Sequence, residues 1–145
     1  SRWAWTAHDH VGGRLPDLDA AAHAAAAALV RDLVNAGLLA GVHDVADGGL
    51  ALAVAEMVVR SGVGAHLSGI GGHAALFSET PSRVVACGVP DRVAEVAERA
   101  AAAGVPVASL GRAGGDRLVV DGLVDLDVVD ATSAWRRALP GAVGE

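Results

Sequence analysis

At 145 residues the chain is long enough for one domain with a real core, and its net charge of −6, with all eleven basic residues arginine, offers no basic surface for nucleic acid. Only 3% of the residues are aromatic, so small aliphatic side chains must fill the core; no apolar run approaches the ~18 residues of a membrane span. The lone cysteine, Cys87, excludes a disulfide framework and a thiolate zinc site and reads as a small packed hydrophobe, so a soluble, cytoplasmic domain is expected.

Residues 1–16 read as a linker and residues 17–145 as the domain proper. Trp3, Ala4 and Trp5 suit an edge strand, and Gly12, Gly13 and Pro16 break any regular element. His8, Asp9 and His10 would place two imidazoles on one strand face, but they lack the further ligands a metal centre needs. Asp19 is an N-cap for a helix from Ala20 to Asn35 that Gly37 stops, with Leu29, Val30, Leu33 and Val34 inward and His23 at the surface.

Leu38 to Val42 reads as a short strand, and His43, Asp44 and Asp47 then fall in a tight turn closed by Gly48 and Gly49. Leu50, Val54, Met57 and Val58 follow at helical spacing. Glycines at a helix start leave N–H groups at the positive end of the dipole, which suits phosphate, and nearby carboxylates suit a divalent cation. The plainer reading has Asp47 capping the helix and the glycines only making the turn.

Ser61 to Gly64 ends that helix, Ala65 to Leu67 is a brief strand, and Ser68 to Gly72 is a glycine-rich loop without the lysine of a phosphate-binding loop. Residues 74–79 and 82–89 read as strands around Pro81. Glu79 and Arg83 then either pair across the turn, or Glu79 and Ser78 stand at the rim of a ligand cleft. Pro90 and Asp91 open a helix to Ala103, closed by Gly104. Val107 to Leu110 reads as a strand, Gly111 to Gly115 as a turn, and residues 116–120 and 123–126 as a hairpin through Asp121-Gly122. Asp130 is placed to cap a last helix through Trp135 to Leu139, stopped by Pro140. Helices interleaved with short strands, plus a late hairpin, predict an α+β fold in which a mixed or antiparallel sheet packs with helices.

Three segments carry a family resemblance. His43-Asp44-Val45-Ala46-Asp47-Gly48-Gly49-Leu50, continued by Ala53-Val54-Ala55-Glu56-Met57, resembles the HDxSDGGLxxxLAEM signature of the phosphoribosylformylglycinamidine synthase (PurL) family. Leu76-Phe77-Ser78-Glu79 through Arg83-Val84-Val85 is similar to its LFxExxxRxVV segment, and Leu110-Gly111-Arg112 with Asp116 to Val120 forms a third match in the family's order.

The resemblance implies a PurM-like C-terminal domain whose missing N-terminal partner, entered at residues 1–16, binds most of the ATP. It also implies an enzyme that turns formylglycinamide ribonucleotide into the amidine with ATP, Mg2+ and glutamine-derived ammonia. The implied partners are the rest of the polypeptide, a PurQ-type glutaminase and a small PurS-type subunit. By position, Asp44 would be the metal ligand and Gly48 and Gly49 the cofactor-binding turn, with no catalytic residue in the chain and no activity of the fragment alone. The signature serine is Ala46 here, which removes a hydroxyl that touches nucleotide in the family. A purely structural domain, or another PurM-like enzyme such as a thiamine-monophosphate kinase or a hydrogenase-maturation protein, is the alternative.

Overall fold

A computed structural model describes residues 1–143, with the backbone alone for 139–143. In chain order the elements are α1 (Arg2–His8), α2 (Ala20–Asn35), β1 (Leu39–Asp44), α3 (Gly49–Ser61), β2 (Ala65–Leu67), α4 (His73–Leu76), β3 (Val84–Gly88), α5 (Val93–Ala102), β4 (Gly111–Ala113), β5 (Arg117–Val120), β6 (Val124–Asp127) and α6 (Val128–Val143). This is an α+β fold. It divides into two compact units, one of Ser1–Ala53 with Phe77–Ser109 and one of Val54–Leu76 with the chain from Leu110 onward.

The first unit is built on two helices that end alike. Asp19 caps α2 by accepting from the N–H groups of Ala21 and Ala22, at 2.9 and 3.0 Å. At its far end Gly37 turns left-handed (φ 65°), Gly37 N–H donates to Val34 and Leu38 N–H to Leu33. α5 repeats this, with Gly104 donating to Ala101 and Val105 to Ala100. In both, the residue after the glycine is thrown back onto the helix: Leu38 joins a buried cluster with Leu29, Leu33 and Ala100, and Val105 packs against it. β1 and β3 pair antiparallel, with Val42 opposite Ala86, His43 opposite Val85 and Asp44 opposite Val84. The strand therefore runs two residues beyond the expected Val42, because the ladder to β3 captures His43 and Asp44 before the chain turns.

Two expectations fail in the first unit. Trp3, Ala4 and Trp5 lie in α1, not in an edge strand. Ser1 Oγ accepts from Ala4 N–H at 3.3 Å, and Asp9, left-handed at φ 49°, ends the helix. Trp3 stacks on Phe77, with ring centroids 5.1 Å apart and 8° between planes, a tertiary contact that local propensity does not carry. The helix expected from Pro90 instead begins as a 3₁₀ turn over Pro90–Arg92 before α5.

The second unit holds a mixed sheet in the order β4-β2-β5-β6. β2 runs parallel to β5, while β2–β4 and β5–β6 are antiparallel. Leu67, Leu118, Val120 and Val128 are buried there. The predicted hairpin forms, closed by Leu123 N–H on the Val120 carbonyl. Three expectations fail. Residues 74–79 do not form a strand: His73–Leu76 is one helical turn whose Ala75 and Leu76 N–H groups donate to Gly72, and Leu76 is fully buried. The strand expected over 107–110 is displaced to Gly111–Ala113, where the turn was expected, because that is where the ladder to β2 lies. The last helix starts earlier and runs past Pro140. Asp127, not Asp130, accepts from Val129 N–H at 2.8 Å, and Asp130 lies in the first turn, where its charge suits the dipole. Pro140 falls in the final turn, where a missing N–H removes one intrahelical bond without ending the helix. Among the described residues no helix is long and apolar enough to cross a membrane.

Candidate functional site

The acidic glycine turn of the first unit is fixed at both ends by the segment from Phe77 to Arg83. On one side Val45, whose side chain is buried, donates its N–H to the Arg83 carbonyl at 2.9 Å. On the other, Gly48 N–H donates to Glu79 Oε1 at 3.0 Å. Between them Gly49 N–H closes on the Ala46 carbonyl at 2.9 Å. Gly48 has φ 79°, and a Cβ there would lie 2.6 Å from Leu52 Cδ2, so both backbone and space demand glycine.

His43 and Asp44 stand at the end of β1. His43 Nδ1 lies 2.7 Å from the Asp44 carbonyl oxygen and 3.4 Å from Asp44 Oδ1. The His43 side chain is 27% exposed and that of Asp44 73%, so the carboxylate points outward from the strand end while the imidazole donates to the Asp44 main-chain carbonyl. Asp47 lies in the wall of an open cavity of ≈ 290 Å³, together with Arg2, Trp5, His10 and Glu79.

Glu79 makes no pair with Arg83 of the kind weighed above. Its Oε1 also accepts from Arg2 N–H, at 2.7 Å, while Arg83 Nη1 donates to the Ser78 carbonyl at 3.2 Å. Burial pushes the Glu79 carboxyl upward, but the N–H bonds from Arg2 and Gly48, and then the charges of the Ser1 amino group and Arg2, outweigh it and hold the group below the usual carboxylate range. The carboxylate at the start of α3 is therefore contributed by a residue 31 positions away. Only the Leu76-Phe77-Ser78-Glu79 segment hinted at it, since no local spacing reports such a partner. His8 lies edge-on to Trp3, with centroids 4.6 Å apart, and His10 reaches the cavity wall. His23 Nδ1 meets Ser82 Oγ at 3.0 Å.

Among the described residues no group of three or more histidine, cysteine or acidic side chains converges on a metal position. A complete protein cage for a cation is therefore not what the turn offers. One outward carboxylate, Asp44, is an oxygen donor of the type magnesium takes singly, with phosphate and water oxygens filling its other positions, so the donor chemistry fits. The N–H groups of Gly48 and Gly49 are both donated within the chain, to Glu79 and Ala46, so a phosphate reaching either must displace that acceptor.

The family described as "AIR synthase related protein, C-terminal domain" matches residues 7–122. The chain is 42% identical to phosphoribosylformylglycinamidine synthase subunit PurL of Nocardioides sp. across 99% of its own length. It is 38% identical to that of Thermobifida fusca, also across 99%. It spans about a fifth, 19%, of the length of each. Among solved structures it resembles Thermotoga maritima PurL complexed with FGAR, with a TM-score of 0.71 at 17% identity, over 90% of this chain and 25% of that one. It also resembles T. maritima PurL complexed with ADP (TM-score 0.69, 18% identity, 80% and 22% covered) and PurLQS from T. maritima (TM-score 0.68, 20% identity, 88% and 23% covered). These likenesses establish the shared fold. With more than half of its residues matched, the chain belongs to the family of AIR synthase related proteins, as their C-terminal domain.

Proposed function

We propose that this chain is the C-terminal PurM-like domain of a PurL-type phosphoribosylformylglycinamidine synthase, a cytoplasmic, ATP-dependent carbon–nitrogen ligase of purine biosynthesis. The observation that carries the reading is 42% identity to a PurL subunit along 99% of the chain, with the signature matched from His43 to Met57 except at Ala46 and Val54. In this reading residues 1–16 lead in from a preceding nucleotide-binding domain and residues 17–145 form the C-terminal domain. The polypeptide works with a PurQ-type glutaminase and a PurS-type subunit.

The reaction activates the amide oxygen of formylglycinamide ribonucleotide by phosphorylation, after which ammonia displaces phosphate. Such transfers depend on positioning and charge neutralisation more than on a protein nucleophile, which fits a domain that contributes none. Asp44 would hold Mg2+, which when bound neutralises phosphate charge. His43 holds the Asp44 main-chain carbonyl at the end of β1, and Gly48 and Gly49, both left-handed, would form the cofactor-binding turn. The test is reconstitution. Joined to the remaining domains of a PurL subunit, the chain should support ATP-, Mg2+- and ammonia-dependent amidine formation, and alone it should support none. A reconstituted subunit without activity would sink the reading.

One observation favours a second reading, a domain of the same enzyme that is purely structural at this turn. Ala46 lacks the signature hydroxyl, and both glycine N–H groups already have acceptors in the chain. Under it, removing the Asp44 carboxylate would leave nucleotide affinity unchanged.

A further inference from the structure

The turn from Val45 to Gly48 has two anchors, and both lie on the segment from Phe77 to Arg83. The first is a backbone bond, Val45 N–H to the Arg83 carbonyl, which tolerates most substitutions at either residue. The second depends on a single side chain, because Glu79 Oε1 is the acceptor for Gly48 N–H. The same oxygen takes Arg2 N–H from the first turn of α1, and two residues upstream Phe77 carries the stacked Trp3. Arg83 Nη1 braces the backbone beside Glu79 through the Ser78 carbonyl. One carboxylate oxygen thus joins three segments far apart in sequence.

We infer that Glu79 is the positioning residue of the acidic glycine turn, its carboxylate clamping α1 and the start of α3 so that Asp47 and the end of β1 are held as one unit. With Oε1 committed to the backbone donors of Arg2 and Gly48, the Glu79 carboxylate acts on the turn. Arg83, the other charged residue of the segment, is spent on bracing. The consequence for cation binding at Asp44 rests on the function proposed above, whereas the clamp itself does not.

The test uses the 145-residue chain with Glu79→Leu and Glu79→Gln, followed by amide exchange and by broadening of NMR signals with Mn2+. Glu79→Leu should speed exchange at Gly48 by about tenfold, the worth of one such bond, while the β1–β3 amides of Val42 and Val85 keep their protection. Glu79→Gln retains an oxygen acceptor and should restore most of the protection at Gly48. Unchanged Gly48 exchange in Glu79→Leu overturns the clamp. Mn2+ broadening centred on Asp44 should weaken severalfold in Glu79→Leu and recover in Glu79→Gln. Equal broadening in all three chains, with Gly48 loosened, overturns the positioning role. If Mn2+ binds none of the isolated chains, the loosened Gly48 alone upholds the clamp, because a single carboxylate without nucleotide oxygens does not make a cation site.

Discussion

At the scale of single residues, Gly48 and Glu79 decide the shape of the turn, and each makes a measurable demand. Gly48→Ala forces a Cβ against Leu52 at a positive φ, and should cost about 1–3 kcal/mol in a urea titration with an unchanged slope. Glu79 gives a pH signature. Its carboxyl lies below the ordinary value in the folded chain, so the stability it adds is fully present above the unfolded value, near 4.5, and is lost as pH falls through the lower folded value. The stability difference between the parent and Glu79→Gln should therefore be full and constant above the unfolded value and shrink as pH falls through the lower folded value.

At the scale of elements, what the sequence made legible was what local chemistry controls. The α2 boundaries follow from Asp19 and Gly37, and the hairpin of β5 and β6 from Asp121-Gly122, because caps and turn residues act on their own neighbourhood. Asp19→Ala should accordingly cost about 1 kcal/mol in thermal or chemical unfolding, since two N–H groups at the start of α2 lose their acceptor. Leu33→Ala, which empties the cluster under the α2 and α5 ends, should cost about 2–5 kcal/mol. The misread elements were those whose structure is set from a distance. Residues 74–79 are apolar enough for a strand, but Leu76 is buried at the end of a single helical turn. α1 is held by Ser1 locally and by Phe77 and Glu79, more than seventy positions away in sequence. The site was half visible for the same reason. His43, Asp44, Asp47 and the two glycines are contiguous, whereas the Glu79 anchor is not.

At the scale of the whole molecule, the α+β fold and the match over residues 7–122 make the chain the C-terminal domain of the AIR synthase related family. The proposed role of its turn is to carry a metal ligand for a nucleotide. The direct measurement is calorimetric titration with Mg-ADP of the PurL-length polypeptide that includes this domain, as the parent and as Asp44→Ala. A drop in affinity of about tenfold or more, with thermal stability unchanged because Asp44 is exposed, is the predicted result. Equal affinity in the two proteins would contradict it and leave the turn a structural element.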